Sequence, residues 1–297
     1  MFDQASRLRE LAAAYRSQAA GRASRRFQAI AVASGKGGVG KTNLAVNLAQ
    51  VLVRSGRDVL LMDVDLGLAN ADILLGTVPP YHLGHFLRGE VDILQVIHRT
   101  DTGLKLIAGG SGLVELGNLT AGQLQPILRS LERLEGEAEY LILDCGAGVG
   151  DAVLEFALAA DQVLVVTTPE PTSIADAYTL IKALALRDAH ARIRLVVNQA
   201  ERPEDAQRAA ERIVATARSF LGIEVVHLGT IPRDPHVWQA VRYKVPYVVG
   251  YPSSPAARAV EAMAMRLLGE ERPATPAPGS FFGRLARLFG LRSSSLS

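Results

Sequence analysis

The sequence predicts an α/β protein with a mostly parallel sheet and helices on both faces, and three observations support this fold class. Short apolar runs alternate with helical patterns of about 10 to 20 residues, which is typical of βαβ units. A glycine-rich loop joins the first run to the first helix. The 297 residues are 48% hydrophobic, which is enough for one large domain.

The predicted elements follow from local patterns. The first strand is the apolar run "FQAIAVAS" at 27–34, which is typical of a buried parallel strand. In the helix after the loop, apolar residues form one stripe, and Gly56 ends it. A later helix is predicted over 172–187. Further strands are predicted over 58–63, 103–109, 140–145, 161–169, 192–199 and 223–229.

Composition divides the chain into four parts. Residues 1–26 are predicted to form a helix and a basic connector. Residues 27–269 hold the alternating elements and are expected to form the central domain. Residues 270–280 are rich in proline, which indicates an extended linker. Residues 281–297 are predicted to contain an amphipathic helix.

The stretch "SGKGGVGKT" at 34–42 predicts a phosphate-binding loop. Gly35, Gly40, Lys41 and Thr42 match G-x-x-x-x-G-K-T between a strand and a helix, where its backbone N–H groups can surround phosphate. Lys41 is expected at the β- and γ-phosphates and the Thr42 hydroxyl at Mg²⁺. The loop residues predicted to bind nucleotide are Gly35, Lys36, Gly37, Gly38, Val39, Gly40, Lys41, Thr42 and Asn43.

Carboxylates follow two of the predicted strands. Asp63 and Asp65 come after one apolar run, and Asp144 and Asp151 come after another. In a parallel sheet these strand ends share an edge with the phosphate loop. We therefore expect acidic groups beside the phosphates. Asp151 could equally be the N-terminal cap of the helix that follows.

The motif "KGGVGKT" resembles the deviant Walker A motif of the MinD/ParA family of ATPases. The resemblance implies that Lys36 reaches across a dimer interface to the nucleotide of the other subunit, and it makes Lys36 and Asp65 the catalytic residues. Asp65 would position the attacking water and Asp63 would support it. The metal-site residues would be Thr42, Asp65 and Asp144, and the cofactors ATP and Mg²⁺.

The same resemblance implies an adenosine site made by a strand end and an "IPRD" segment. Asn198 follows the apolar "LVV" run, and its amide could read the adenine edge. As an alternative, Asn198 is a turn residue at the end of its strand. The other residues implied are Ile231, Pro232, Arg233 and Asp234.

The C-terminal "FFGRLARLFGLR" predicts a helix that lies in a membrane surface. Its five large apolar residues fall within roughly 120° of helical arc, and Arg284 and Arg287 lie outside it. The alternative is a helix that packs on the domain. The predicted membrane residues are Phe281, Phe282, Leu285, Leu288 and Phe289, at the inner face of the cytoplasmic membrane.

The N-terminal "DQASRLR" resembles the D-Q-A-x-x-L-R motif of the flagellar-number branch of this family, called FlhG, FleN or YlxH. The resemblance implies contact with an SRP-type GTPase, FlhF, whose GTP hydrolysis it stimulates. The alternative is a terminal helix that packs on the domain. The implied partner-binding residues are Asp3, Gln4, Ala5, Leu8 and Arg9.

Composition narrows the function. A single cysteine, Cys145, excludes a disulfide framework within the chain and indicates a reducing, cytoplasmic location. A net charge of +2 does not predict nucleic-acid binding. The resemblance implies a slow, partner-regulated ATPase that dimerises on ATP and controls flagellar number and placement. Flagellar switch proteins or a flagellar transcription regulator are further partners it allows.

Three alternatives share the same core. One is a MinD regulator of the division site, which would lack the N-terminal motif. Another is a ParA DNA-partition ATPase, whose DNA binding would weaken with salt. The last is an iron–sulfur reductase of the same superfamily, which would need paired cysteines where this chain has one.

Overall fold

The computed structural model describes residues 27–65, 70–110, 121–269 and 280–288. The predicted N-terminal helix, its five partner residues, most of the linker and Phe289 lie outside the described residues.

The predicted fold class is confirmed by one mixed sheet in which all but one pair of neighbouring strands are parallel. The strand order is β3-β4-β2-β5-β1-β6-β7-β8. The exception is the antiparallel pair β3–β4 at one edge. The strands are β1 Gln28–Ser34, β2 Val59–Val64, β3 His98–Arg99, β4 Lys105–Ile107, β5 Tyr140–Ala147, β6 Gln162–Thr167, β7 Ile193–Ala200 and β8 Val225–Pro232.

Eleven α-helices are found in the part of the chain that the structure describes, with a 3₁₀ turn at Ile93–Val96. They are α1 Lys41–Arg54, α2 Ala71–Leu75, α3 Leu83–Leu87, α4 Ala121–Glu132, α5 Asp151–Ala159, α6 Pro171–Arg187, α7 Pro203–Leu221, α8 Pro235–Tyr243, α9 Tyr247–Gly250, α10 Pro255–Gly269 and α11 Phe281–Leu288.

Two apolar cores lie on the two faces of the sheet. Helices α1, α8, α9 and α10 cover one face. Helices α4 to α7 and α11 cover the other. The central strands are therefore buried on both faces, which is why β1, β2 and β6 read as nearly continuous apolar runs.

The strand order places the phosphate loop beside the carboxylates. Strand β1 lies between β5 and β6, so the chain order reverses there. Such a switch point opens a crevice at the carboxyl ends of the strands. Strand β5 also pairs with β2, and this register puts Asp63 opposite Asp144.

The sequence did not predict β3, which has only two residues and no strand pattern of its own. It exists because β4 offers an unpaired edge, to which His98 and Arg99 bond in antiparallel register.

The C-terminal helix packs on the domain in this structure, which is the alternative that the sequence left open. Phe281, Phe282 and Leu285 were predicted to face a membrane, but in this structure α11 packs on α4 and α5 and these side chains are at most 1% exposed. The amphipathic pattern is satisfied by a groove in the protein, which offers the same apolar contact as a lipid surface. Of the predicted membrane residues described, only Leu288 is exposed, at 40%.

Within the described residues, none of the helices is long and apolar enough to cross a bilayer.

Candidate functional site

The phosphate loop joins β1 to α1, as predicted. Gly40 precedes α1 with a φ of 93°, which L side chains rarely adopt. An added Cβ there would also lie 2.3 Å from Nδ2 of Asn198. No side chain caps α1, so its first N–H groups and its positive dipole end point toward the loop. Such a terminus is suited to an anion.

Helix α6 packs directly on the start of the loop. An added Cβ at Gly35 would lie 2.1 Å from the carbonyl oxygen of Asp176, so this position admits only glycine. The Ser34 hydroxyl donates to the carbonyl oxygen of Lys36 at 2.8 Å. On the other side, the N–H of Gly148 donates to the carbonyl oxygen of Ser34 at 2.8 Å. The loop is therefore held from both sides.

The two lysines of the loop have different surroundings. Lys41 is buried, and its Nζ lies 3.9 Å from an oxygen of Asp65. The Lys36 side chain is 40% exposed, and its Nζ lies 3.2 Å from Glu170 Oε2 and 3.2 Å from Thr172 Oγ1 at the start of α6. Lys36 is thus held by the surface of its own chain.

Asp63 organises the segment after β2. Its carboxylate accepts hydrogen bonds from the N–H groups of Asp65 at 3.0 Å, Asn70 at 3.0 Å and Ala71 at 3.1 Å. Burial raises the pKa of Asp63 to about 6, although these bonds oppose the shift. Asp63 therefore ties both ends of the loop 65–70 to the sheet.

Asp144 is a buried acidic group of the same site. Neither of its buried carboxylate oxygens has a hydrogen-bond partner among the described residues. Burial, and then the charge of Asp63, raises the pKa of Asp144 to about 7. The Lys41 charge and the Thr42 hydroxyl oppose this shift, although neither makes a hydrogen bond of normal geometry with the carboxylate.

This orphaned carboxylate fits a magnesium ion. Mg²⁺ is usually held by one or two protein oxygens together with water and phosphate, which matches Asp144 and Thr42 beside the loop. The described residues contain no group of three or more His, Cys, Asp or Glu side chains placed to hold a metal ion.

The stability of the ligand-free protein should fall as pH rises through the range of these two carboxyls. Their folded pKa values of about 6 and about 7 lie above the ordinary value of 3.8, so folding favours the protonated forms. That stabilisation is complete at low pH and is lost as pH rises to about 7.5. We expect Asp144→Asn, which stays neutral, to unfold at a higher temperature than the native chain at pH 7.5, and this advantage should shrink as pH falls and disappear below about pH 4, near the ordinary pKa of 3.8. Thermal unfolding curves that move in parallel with pH would contradict this prediction.

Asn198 and Gln199 hold the phosphate loop from β7. The Asn198 amide donates to the carbonyl oxygen of Val39 at 2.7 Å, and its oxygen accepts from the N–H of Gln199 at 2.8 Å. Gln199 has a φ of 57° and donates from Nε2 to the carbonyl oxygen of Gly38 at 3.1 Å. The Asn198 amide thus holds the loop in this arrangement, and its contact with adenine stays a prediction.

The "IPRD" residues also take specific places. Ile231 is buried in the core, so only its backbone can line a ligand site. Asp234 accepts from the N–H groups of His236 and Ala256, so it fixes α8 and α10 to each other. The side chain of Arg233 is exposed and pairs with Glu201. Among the residues predicted to bind adenosine, the side chains of Ile231 and Asp234 therefore make contacts within the domain in this structure.

A groove of about 870 Å³ opens beside the loop, between α6 and α7. Gln199, Glu170 and Arg233 line it next to the loop, and Arg208 and Arg212 of α7 line it farther out. Glu170, Thr172 and Gln199 were assigned no role from the sequence. Their contacts with the loop join residues more than 130 positions apart, and nothing local marks them.

Comparison with known proteins agrees with this geometry. A family model described as ParA, of the NUBPL iron-transfer P-loop NTPase type, matches residues 26–268. The antiactivator FleN of Pseudomonas aeruginosa is 36% identical over 249 residues, covering 84% of this chain and 89% of that one. The flagellum site-determining protein YlxH of Helicobacter pylori is 32% identical over 267 residues, covering 88% and 90%.

A solved structure shares the fold. The septum site-determining protein MinD of Pyrococcus horikoshii, complexed with Mg-ADP, superposes with a TM-score of 0.66 at 25% identity. The match covers 81% of this chain and 96% of that chain. This protein is therefore similar in sequence to two flagellar regulators and similar in fold to a division-site protein.

Proposed function

The chain belongs to the ParA family of P-loop NTPases, and we propose that it is an ATP-dependent dimerising switch that regulates the number and placement of flagella. The phosphate loop, Lys41 and Thr42 bind ATP with Mg²⁺, and Asp144 lies at the metal. The names of FleN and YlxH support the flagellar assignment. The N-terminal D-Q-A-x-x-L-R resemblance supports it independently.

The placement of Lys36 carries the proposal. A phosphate loop needs one lysine for its own nucleotide, and the buried Lys41 fills that role. Lys36 is exposed and points to Glu170 and Thr172. An exposed ion pair contributes only about 0–1 kcal/mol, so a phosphate group can displace it easily. Lys36 is therefore available to the nucleotide of a second copy, and dimerisation then depends on ATP.

The bound ion would draw charge from the phosphates, and the side chains supply the remaining functions. Lys41 neutralises the phosphate oxygens once it leaves Asp65. Asp65, freed from Lys41, orients the attacking water. Asp63 keeps the backbone of Asp65 in place. Hydrolysis removes the group that Lys36 contacts, and the dimer separates.

Membrane association is part of the same cycle in our proposal. The tail helix α11 must leave its groove before its apolar face can contact lipid. One short amphipathic helix binds a bilayer weakly, whereas two linked helices bind much more tightly through their effective concentration. An ATP dimer therefore joins the inner face of the cell membrane, and the ADP monomer returns to the cytoplasm.

Leu288→Asp should weaken membrane binding without disturbing the docked helix, because Leu288 is 40% exposed in the docked state. We expect binding to phosphatidylglycerol vesicles with a non-cleavable ATP analogue to fall roughly tenfold or more across two tails. Sedimentation measures this directly. The matched control is Leu186→Asp, an exposed leucine of α6, which should leave binding unchanged. Equal sedimentation with the analogue and with ADP would contradict the proposed cycle.

The N-terminal segment is proposed to stimulate an SRP-type GTPase of the FlhF kind. A peptide of residues 1–20 should raise GTP turnover by that GTPase, and Gln4→Ala should remove most of the effect, because an amide can orient a catalytic water. The control peptide carries Gln18→Ala. No stimulation by the native peptide would overturn the flagellar assignment and leave the ATPase proposal standing.

The other relatives suggest different functions. A division-site regulator of MinD type would share the ATP cycle and would fail the GTPase test. Iron transfer, named in the family description, needs exposed cysteine ligands. Cys145 is buried in β5, and burial raises the pKa of its thiol strongly. The site therefore favours a nucleotide switch over iron transfer.

A further inference from the structure

The groove that holds α11 makes both apolar and polar contacts with it. Phe281, Phe282 and Leu285 fill it, and the ring of Phe27 packs edge-on against Phe282 with centroids 6.3 Å apart. Arg284 is 8% exposed and donates to the carbonyl oxygen of Ala159 at 2.7 Å. It also donates to Asp161 at 2.8 Å.

Emptying the groove would be costly. Asp161 would lose Arg284, and its carboxylate also holds the N–H of Ala29 at the start of β1. The Ala159 carbonyl would lose its partner, and the apolar walls would face water. When α11 leaves for a membrane, the groove therefore favours another amphipathic helix that carries an arginine at the same place.

The other end of the chain has this pattern. The sequence Arg-Leu-x-x-Leu occurs at 284–288, in an overlapping copy at 287–291 and at 7–11, and at no other position. The spacing to the cap also agrees. Ser280 lies four residues before Arg284, and its hydroxyl caps the helix by accepting a hydrogen bond from the N–H of Gly283. Asp3, a good capping residue, likewise lies four residues before Arg7.

The N-terminal segment is also tethered at the groove. Residue 26 is followed by Phe27, which lines the groove beside Phe282. Residues 16–26 could span about 36 Å when extended, whereas an eight-residue helix is about 12 Å long. The segment can therefore reach the groove from within its own chain, at an effective concentration of about millimolar.

We propose that the groove between α4 and α5 is a shared site, and that residues 3–11 occupy it when the tail helix leaves. Arg7 then bonds to Asp161 and the Ala159 carbonyl, and Leu8 and Leu11 replace Leu285 and Leu288. Ala5 stands where Phe282 was, so the N-terminal occupant has less apolar surface and the tail binds in preference. The groove therefore holds one end of the chain at a time.

This exchange hides Leu8 and Arg9 while the tail is at the membrane. On the proposed function, the GTPase would then meet a free N-terminal motif only when α11 is docked. This consequence and the departure of the tail to a membrane rest on the proposed function, whereas the ability of residues 3–11 to dock in the groove does not.

A disulfide reports the exchange. The N–H of Phe282 lies 3.4 Å from Glu135, so the pair Ala5→Cys and Glu135→Cys should meet when the segment docks. The full chain keeps its native Cys145, which is buried. The tail is displaced by Leu285→Asp, or by deletion of 280–297 if that variant unfolds. We expect at least tenfold faster disulfide formation than with the native tail.

Two controls separate docking from chance encounter. Ser17→Cys with Glu135→Cys places the thiol nearer the tether, so random collision would cross-link it at least as fast as Ala5→Cys. Leu8→Asp should abolish the cross-link, and an added peptide of residues 280–297 should compete with it. Equal rates for positions 5 and 17, or no effect of Leu8→Asp, would overturn the proposal without touching the ATPase assignment.

Discussion

Replacing Lys36 with alanine should abolish ATP-dependent dimerisation and lower ATP turnover by at least about 10³-fold. The magnitude follows from other phosphoryl-transfer sites, where a cation supplied in trans contributes about 10³–10⁵ in rate. Nucleotide binding by the monomer should survive, because Lys41 and the first turn of α1 remain. Light scattering with a non-cleavable analogue measures the dimer, and phosphate release measures turnover.

The surroundings of Lys36 explain why the loss should be specific. Lys36 contacts Glu170 and Thr172 through exposed atoms, and such a pair adds little to stability. The fold therefore should not weaken when Lys36 is removed. Lys182→Ala, an exposed lysine on α6, is the matched control and should leave both measurements unchanged. A Lys36→Ala chain that dimerised like the native chain would leave the switch without its proposed contact.

The sequence predicted those parts of the site that lie next to each other along the chain. The loop, Lys41 and Thr42 follow from one motif between a strand and a helix. Asp63 and Asp144 follow from apolar runs that end at one edge of a parallel sheet. These arguments need only local patterns and one topological rule.

Contacts between distant segments could not be predicted in this way. Glu170 meets Lys36 across 134 positions, and Gln199 meets Gly38 across 161. The positive φ of Gln199 has no marker in the residue type, because glycine usually takes such positions.

The tail helix shows a different limit. An apolar stripe on a helix predicts only that the stripe will be covered, and it does not identify the covering surface. A groove in the protein covers Phe281 and Phe282. Arg284 donates hydrogen bonds there to the carbonyl oxygen of Ala159 and to Asp161. Arg284, which lies outside the apolar arc of the helix, is buried in an ion pair with Asp161.

Asp65→Asn should trap the ATP dimer and lower turnover by about 10²–10⁴-fold, the range for a group that positions or activates the nucleophile. The amide keeps the shape of the carboxylate but cannot accept a proton from water as well. The backbone should stay in place, because Asp63 holds the N–H of residue 65 and not its side chain. Loss of the Asp65 charge also releases Lys41, which lies 3.9 Å away and then serves the phosphates alone.

Asp65→Asn should stop hydrolysis and keep dimerisation, whereas Lys36→Ala should remove both. Light scattering of Asp65→Asn with ATP itself should show a dimer that persists, while the native dimer separates as ATP is consumed. Asp101→Asn, an exposed aspartate between β3 and β4, should behave like the native chain. If Asp65→Asn hydrolysed ATP at the native rate, the attacking water would have to be held by another group. Asp144, with two unpartnered oxygens in the same site, would then be the residue to replace next.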